Sequence, residues 1–168
     1  MNTESDLEIR LANPHEDRAA LDSLFAAMVR HYFPERACGP GEAGDQVAAI
    51  VEAWPGCEIL IALRGQTPLG FATFSMLLPA NGVGFEMFMR DLFVVADARS
   101  RGIGELLLRA TAQIAVDRGC ERLDWTTDDA NAGAMAFYDR LGAQRLRQKV
   151  YYRLDGAALK DCAQTAQL

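Results

Sequence analysis

The apolar run Leu92-Phe93-Val94-Val95 is followed by Arg99-Ser100-Arg101-Gly102-Ile103-Gly104, which leads into Glu105-Leu106-Leu107-Leu108. This pattern constrains the chain most: a strand passing through a short glycine loop into the first turn of a helix. A helix that starts this way leaves several main-chain N–H groups converging on one point, with the positive end of the helix dipole behind them. Glycine at 102 and 104 lets a ligand reach the main chain without meeting a Cβ. Arg99 and Arg101 add charge suited to phosphate oxygens. The physical reading is a pocket for a pyrophosphate. Glycine placed only for tight packing is the plainer alternative.

The elements around this junction read as one α/β domain over residues 1–168. Leu7–Leu11 alternates like a strand, and Asn13-Pro14 opens a helix with Leu21, Leu24, Phe25, Met28 and Val29 on one face. A loop follows over Phe33–Gly44, then a helix over Asp45–Trp54. Strands are expected at Glu58–Leu63, Leu69–Leu78 and Phe85–Val95, the last two joined by a turn at Pro79-Ala80-Asn81-Gly82. Ile103, Leu107, Ala110 and Ile114 mark the core stripe of a helix stopped by Gly119. Arg122–Thr127 reads as a strand, Asn131–Leu141 as a helix, Gln144–Leu154 as a further strand and Ala157–Cys162 as a short helix. The order β-α-α-β-β-β-α-β-α-β gives a mixed, mostly antiparallel sheet with helices on both faces.

Composition narrows the function. The 168 residues carry 17 basic and 23 acidic side chains, a formal charge of −6. That balance speaks against bulk nucleic-acid binding, which needs a basic face. No apolar stretch approaches the roughly 20 residues that span a bilayer, and the three acids within Met1–Arg10 do not suit a signal peptide. Cys38, Cys57, Cys120 and Cys162 stand apart with no metal-ligand spacing, so no metal and a reducing, cytoplasmic setting are expected. The glycine pattern lacks the third glycine of a dinucleotide fingerprint and the Gly-Lys-Ser/Thr of a P-loop. No serine, cysteine or paired-carboxylate arrangement supports hydrolase chemistry.

A second cluster spans Asn131-Ala132-Gly133-Ala134-Met135-Ala136-Phe137-Tyr138-Asp139-Arg140-Leu141-Gly142-Ala143. On a helix, Asn131 and Tyr138 lie two turns apart, about 10 Å, nearly on one face. An N-cap asparagine and a core aromatic would suffice to explain them singly. Taken together, Asp91-Leu92-Phe93-Val94, Arg99-x-x-Gly102-x-Gly104, and Asn131 with Phe137-Tyr138-x-x-Leu141-Gly142-Ala143 resemble the GCN5-related N-acetyltransferase family. Gly119–Trp125 and Tyr152-Arg153-Leu154-Asp155-Gly156 look most like its diamine and thialysine acetyltransferase branch.

The resemblance implies acetyl-CoA as donor, a small-molecule amine as acceptor, and a homodimer. It implies that Leu92, Phe93 and Val94 line the pantetheine arm, with the main chain of Leu92 and Val94 offered to it. Arg99, Ser100, Arg101, Gly102, Ile103 and Gly104 would hold the pyrophosphate, Asn131 the pantetheine, and Tyr138 would stand near the sulfur. A tyrosine of pKa about 10 stays protonated at neutral pH and can donate to a departing thiolate. Polyamine-type relatives carry glutamate directly before the Asp-Leu-Phe-Val run, whereas this chain has Arg90. Arg90 cannot act as a base, so Glu86 and Asp91 are the candidates, and an acceptor bearing a carboxylate would suit Arg90. His15 and His31 have no companions at catalytic spacing; His31 reads as local packing or as lining for the acceptor site. Two other readings remain: a CoA-binding module without turnover, and a transferase acting on protein N-termini or lysines.

Overall fold

Arg10 and Asp17 set where the first helix begins. The computed structural model describes residues 7–78 and 84–164, in two compact units, Met1–Thr126 and Thr127–Leu168. Arg10 sits on β1 (Leu7–Leu11) and grips the Asp17 carboxylate with two hydrogen bonds, 2.6 and 2.7 Å long. Asp17 also accepts from the Asn13 N–H at 2.8 Å. Asn13–Asp17 is thus a turn tied to the sheet, and α1 runs from Arg18 to Tyr32, four residues later than Asn13-Pro14 suggests. The Arg10 guanidinium holds the Asp17 carboxyl below its ordinary range, despite burial pulling the other way. A carboxyl depressed in the fold contributes stability above its unfolded pKa, which is lost as pH falls through the folded value. Asp17→Asn is therefore expected to cost about 2–3 kcal/mol at neutral pH, the range for a hydrogen bond to a charged group. In urea titrations that difference should shrink as pH drops below the ordinary carboxylate range.

Helix α2 (Glu42–Ala53), by contrast, starts earlier than its sequence suggests. Its N-cap, Gly41, has φ +80° and no side chain, so the cap comes from α1. The Asp22 carboxylate accepts from the N–H groups of Gly41 and Gly44, at 3.1 and 3.0 Å. Arg18 pairs with Asp45 across the same junction.

Strands β2 (Cys57–Arg64), β3 (Thr67–Leu77) and β4 (Phe85–Val94) form the antiparallel meander, with β1 on its outer edge. The turn expected at Pro79–Gly82 lies outside the described residues. Ile59, Ile61, Phe71 and Phe93 share one face with Leu21 and Leu24 of α1, and Phe25 stacks on Phe71 at 4.3 Å. The opposite face packs against α3 (Ile103–Asp117), whose Ile103, Leu107, Leu108 and Ala115 are buried. β5 (Cys120–Trp125) then runs parallel to β4 and closes the order β1-β2-β3-β4-β5.

The second unit holds α4 (Ala132–Arg140) and α5 (Gly156–Gln164). The strand expected at Gln144–Leu154 is not formed. The Lys149 N–H closes a turn onto the Leu146 carbonyl at 3.1 Å, splitting the segment, and a strand without a partner leaves its main chain unpaired. Otherwise the mixed, mostly antiparallel sheet with helices on both faces is as the pattern implied.

Candidate functional site

The most distinctive irregularity of the sheet lies at Arg90. Strand β3 pairs Phe74 with Met89 and Thr73 with Asp91, so Arg90 is an extra residue bulged out of β4, and it is exposed. β5 ends at the same level, its last pair being Trp125 with Met89. From Arg90 to Val94, β4 therefore has a strand partner on the β3 side only. The Asp91 N–H donates to Thr73 Oγ1 at 3.1 Å and the Val95 N–H to the Leu69 carbonyl at 3.0 Å. Main-chain direction alternates along a strand, so Leu92 and Val94 turn theirs toward the side that β5 has left. Phe93, between them, is a core residue, 5% exposed, and contributes packing to this edge.

The loop beyond β4 is built to aim N–H groups. A single 3-10 turn, Ala96–Ala98, is anchored by buried Ala98. Ser100 then adopts φ +60°, the one non-glycine residue with positive φ among the described residues, and Gly102 follows at +79°. Such left-handed kinks turn successive N–H groups inward to form a concavity for an anion. The first helical bond of α3 runs from the Leu106 N–H to the Gly102 carbonyl, 3.0 Å. The N–H groups of Ile103, Gly104 and Glu105 precede it, and Gly102 has no side chain to cap them. Ile103 is 1% exposed, so it offers only its main chain. Glu105, in the first turn of α3, is paired with Arg109 at 2.9 Å.

Arg99 also makes contacts within the protein. Its Nε donates to the Val94 carbonyl at 3.0 Å, and its guanidinium lies 5.8 Å from the Phe93 ring centroid. Arg99 thus ties the loop to the end of β4, leaving its Nη groups for an anion. Ser100 and Arg101 are both exposed at the rim.

The two candidate bases are not brought together. They stand five residues apart on β4, about 16 Å along the strand. Glu86 is held in an ion pair with Arg122 of β5, which also reaches Asp124 at 3.3 Å. Asp91 lies beside the bulge and accepts from the Thr73 hydroxyl at 2.7 Å. That bond uses one carboxylate lone pair and fixes the group's orientation. His31, at the end of α1, lies 6.0 Å from the Phe93 ring between centroids. Its spacing from Leu24 and Met28 continues the core stripe of α1.

In the second unit, Asn131 caps α4: its side-chain oxygen accepts from the Ala134 N–H at 3.0 Å. The Nδ2 group keeps its donors for another partner. Tyr138 sits in the last turns with its ring edge-on to Phe137, 5.1 Å between centroids. The Ala143 N–H returns to the Tyr138 carbonyl at 3.1 Å, and Gly142 takes φ +84°, so the helix end carrying Tyr138 is firmly closed.

The chain is similar in fold and in sequence to known proteins. An integron cassette protein from the mobile metagenome of V. cholerae superposes with a TM-score of 0.83 at 33% identity, covering 94% of this chain and 98% of that one. An L-ornithine N5-acetyltransferase of Arabidopsis thaliana is 35% identical over 91 residues, 54% of this chain. A thialysine N-epsilon-acetyltransferase of Bos taurus is 32% identical over 83 residues, 48% of this chain. The matches span only 40% and 49% of those two relatives. The family model for the acetyltransferase (GNAT) family matches residues 23–143, which take in the meander, the glycine junction and α4. By that match, and by the junction geometry it encloses, this chain belongs to the acetyltransferase (GNAT) family.

Proposed function

We propose that the protein is an acetyl-CoA-dependent N-acetyltransferase that acts on a primary amine of a small molecule, with residues 1–168 working as one cytoplasmic acetyltransferase domain. The observation that carries this reading is the junction after β4, where three N–H groups precede the first bond of α3 beside the open edge of Leu92 and Val94. The diphosphate of the donor binds that cradle, and its pantetheine arm pairs with the open main chain. The homologues named for ornithine and thialysine support a small amine as acceptor.

The reaction is direct attack within a ternary complex. The amine nitrogen forms a bond to the thioester carbonyl carbon, the carbon–sulfur bond breaks, and the thiolate leaves with a proton. Tyr138 supplies that proton, a role resting on its place in the Phe137-Tyr138-x-x-Leu141-Gly142-Ala143 motif. Asp91, oriented by Thr73, takes the ammonium proton directly or through water. Glu86, already committed to Arg122, is the weaker candidate. Holding both substrates in place accounts for most of the acceleration, because no covalent enzyme intermediate is required.

Arg90 points to the acceptor. Exposed on the bulge, it repels a polycation and suits an amine that also bears a carboxylate, such as an amino acid. A panel of amines assayed for thiol release from acetyl-CoA tests this. Amino-acid acceptors should turn over best, and Arg90→Ala should raise their KM about 10-fold or more, the worth of a charge-assisted hydrogen bond. Spermidine or spermine as the best substrate would overturn the assignment of Arg90. CoA binding without thiol release from any amine would favour a non-catalytic module. We also infer that the protein is a homodimer, as the resemblance implies.

A further inference from the structure

Helix α1 leaves the core at its last turn, and the residue it carries out is a histidine. The stripe Leu21, Leu24, Met28 and His31 keeps helical spacing, and runs from two fully buried leucines through a half-buried methionine to an exposed imidazole. Phe25 stacks on Phe71 of β3, whereas His31, about 9 Å farther along the helix, meets Phe93 of β4 at 6.0 Å. The helix thus crosses from β3 to β4, toward the side that β5 has left. The imidazole is also held edge-on to Tyr32, 4.9 Å between centroids. Packing at the open end of an apolar stripe calls for no titratable group.

Asp91 stands on the same side of the sheet. It pairs with Thr73 as Phe93 pairs with Phe71, so Asp91 and Phe93 both face α1, about 7 Å apart along β4. Phe93 therefore lies between a half-buried carboxylate and an exposed imidazole, next to the main chain left open at Leu92. A carboxylate that takes a proton from an ammonium must shed it before the next turnover. Asp91 already uses one lone pair on Thr73, at 2.7 Å, and is the less exposed of the two groups. His31 offers a ring with two nitrogens, one to receive a proton while the other releases one. The charged and titratable groups around it are Arg30 and Tyr32 on its own helix, Arg99, whose guanidinium meets the same Phe93 ring at 5.8 Å, and Asp91 on β4. Among these Asp91 is the acid.

We propose that His31 is the proton outlet of the acceptor site, carrying the ammonium proton from Asp91 to solvent. An N–H bond of the acceptor ammonium breaks as Asp91 takes the proton. The carboxyl passes it to one imidazole nitrogen, directly or through one water, and the imidazolium releases a proton from its other nitrogen to bulk water. Asp91 returns to carboxylate and His31 to neutral imidazole. Each conversion of an ammonium and a thioester into an amide and a thiol thus sends one proton out. The proposal rests on the acetyltransferase reading above and deepens it.

The test follows thiol release from acetyl-CoA in weakly buffered solution, with the amine the wild type uses best, for His31→Ala and His31→Phe. Phenylalanine keeps a ring against Phe93 and Tyr32 and removes the two nitrogens. Both variants are expected to lose about 10-fold or more in kcat with KM little changed. Free imidazole, with the enzyme-free rate subtracted, should restore most of that loss. A His31→Phe enzyme with wild-type kcat makes His31 a packing residue and overturns the relay. A loss that imidazole does not relieve, or one confined to KM, overturns it as well. Should His31→Ala fail to fold, His31→Phe decides. A wild type that releases no thiol with any amine overturns the acetyltransferase reading and the relay together, whereas an active wild type with a failed relay leaves that reading standing.

Discussion

Gly102→Val is expected to weaken acetyl-CoA binding severely while leaving a folded protein. Gly102 holds φ +79°, and an ideal Cβ there meets nothing within 4 Å. The substitution therefore creates no clash inside the protein. Its intrinsic cost is the left-handed backbone, about 1–2 kcal/mol for a residue with a Cβ. The larger effect is on the ligand, because a branched side chain would stand where the main chain of the cradle must be approached. Losing two charge-assisted hydrogen bonds of about 1.5 kcal/mol each weakens binding roughly 100-fold. Gly119→Val separates the two effects. Gly119 has φ +72° and equally open surroundings, but lies at the far end of α3. Calorimetry with CoA should show binding severely weakened in the Gly102 variant and kept in the Gly119 variant, with similar losses of thermal stability. Equal CoA affinity in both variants would remove the cradle from the binding site.

Tyr138→Phe should do the opposite: lower kcat about 100-fold or more while the affinity for acetyl-CoA changes little. A positioned general acid contributes about 10²–10⁴ to a proton-transfer step. Removing only the phenolic oxygen keeps the aromatic contact with Phe137 and the closure of α4 at Ala143. The loss should therefore appear in turnover rather than in fold or binding. Leaving-group dependence sharpens the test, since a donor with a better leaving group needs less help from an acid. An aryl thioester should recover most of the lost rate if Tyr138 protonates sulfur. A uniform loss across donors, or a rise confined to KM, would make Tyr138 a packing residue.

The most readable features in the sequence were those written in local chemistry. The alternating apolar runs, the glycines at 102 and 104, and the Asn131 cap each act through residues close in the chain, so periodicity and turn preference sufficed. The start of α1 did not read correctly, because it depends on Arg10 reaching Asp17 from a neighbouring strand. The start of α2 depends likewise on Asp22, supplied by a different helix. The segment Gln144–Leu154 has strand periodicity, yet periodicity states only which face would be buried and not which edge receives it.

The site divides the same way. Sequence alone suggested an anion cradle after β4 and offered Asp91, ahead of Glu86, as the base. Only the pairing of β3 with β4 makes Arg90 the bulged residue, and only the length of β5 leaves Leu92 and the Val94 N–H open. Register is a long-range property: two strands decide it together, with neither sequence carrying it alone. The tertiary structure likewise separates the two carboxylates, giving Glu86 to Arg122 and Asp91 to Thr73. Local sequence thus determined what kinds of groups the protein offers, and the pairing of distant segments decided which remain available for chemistry.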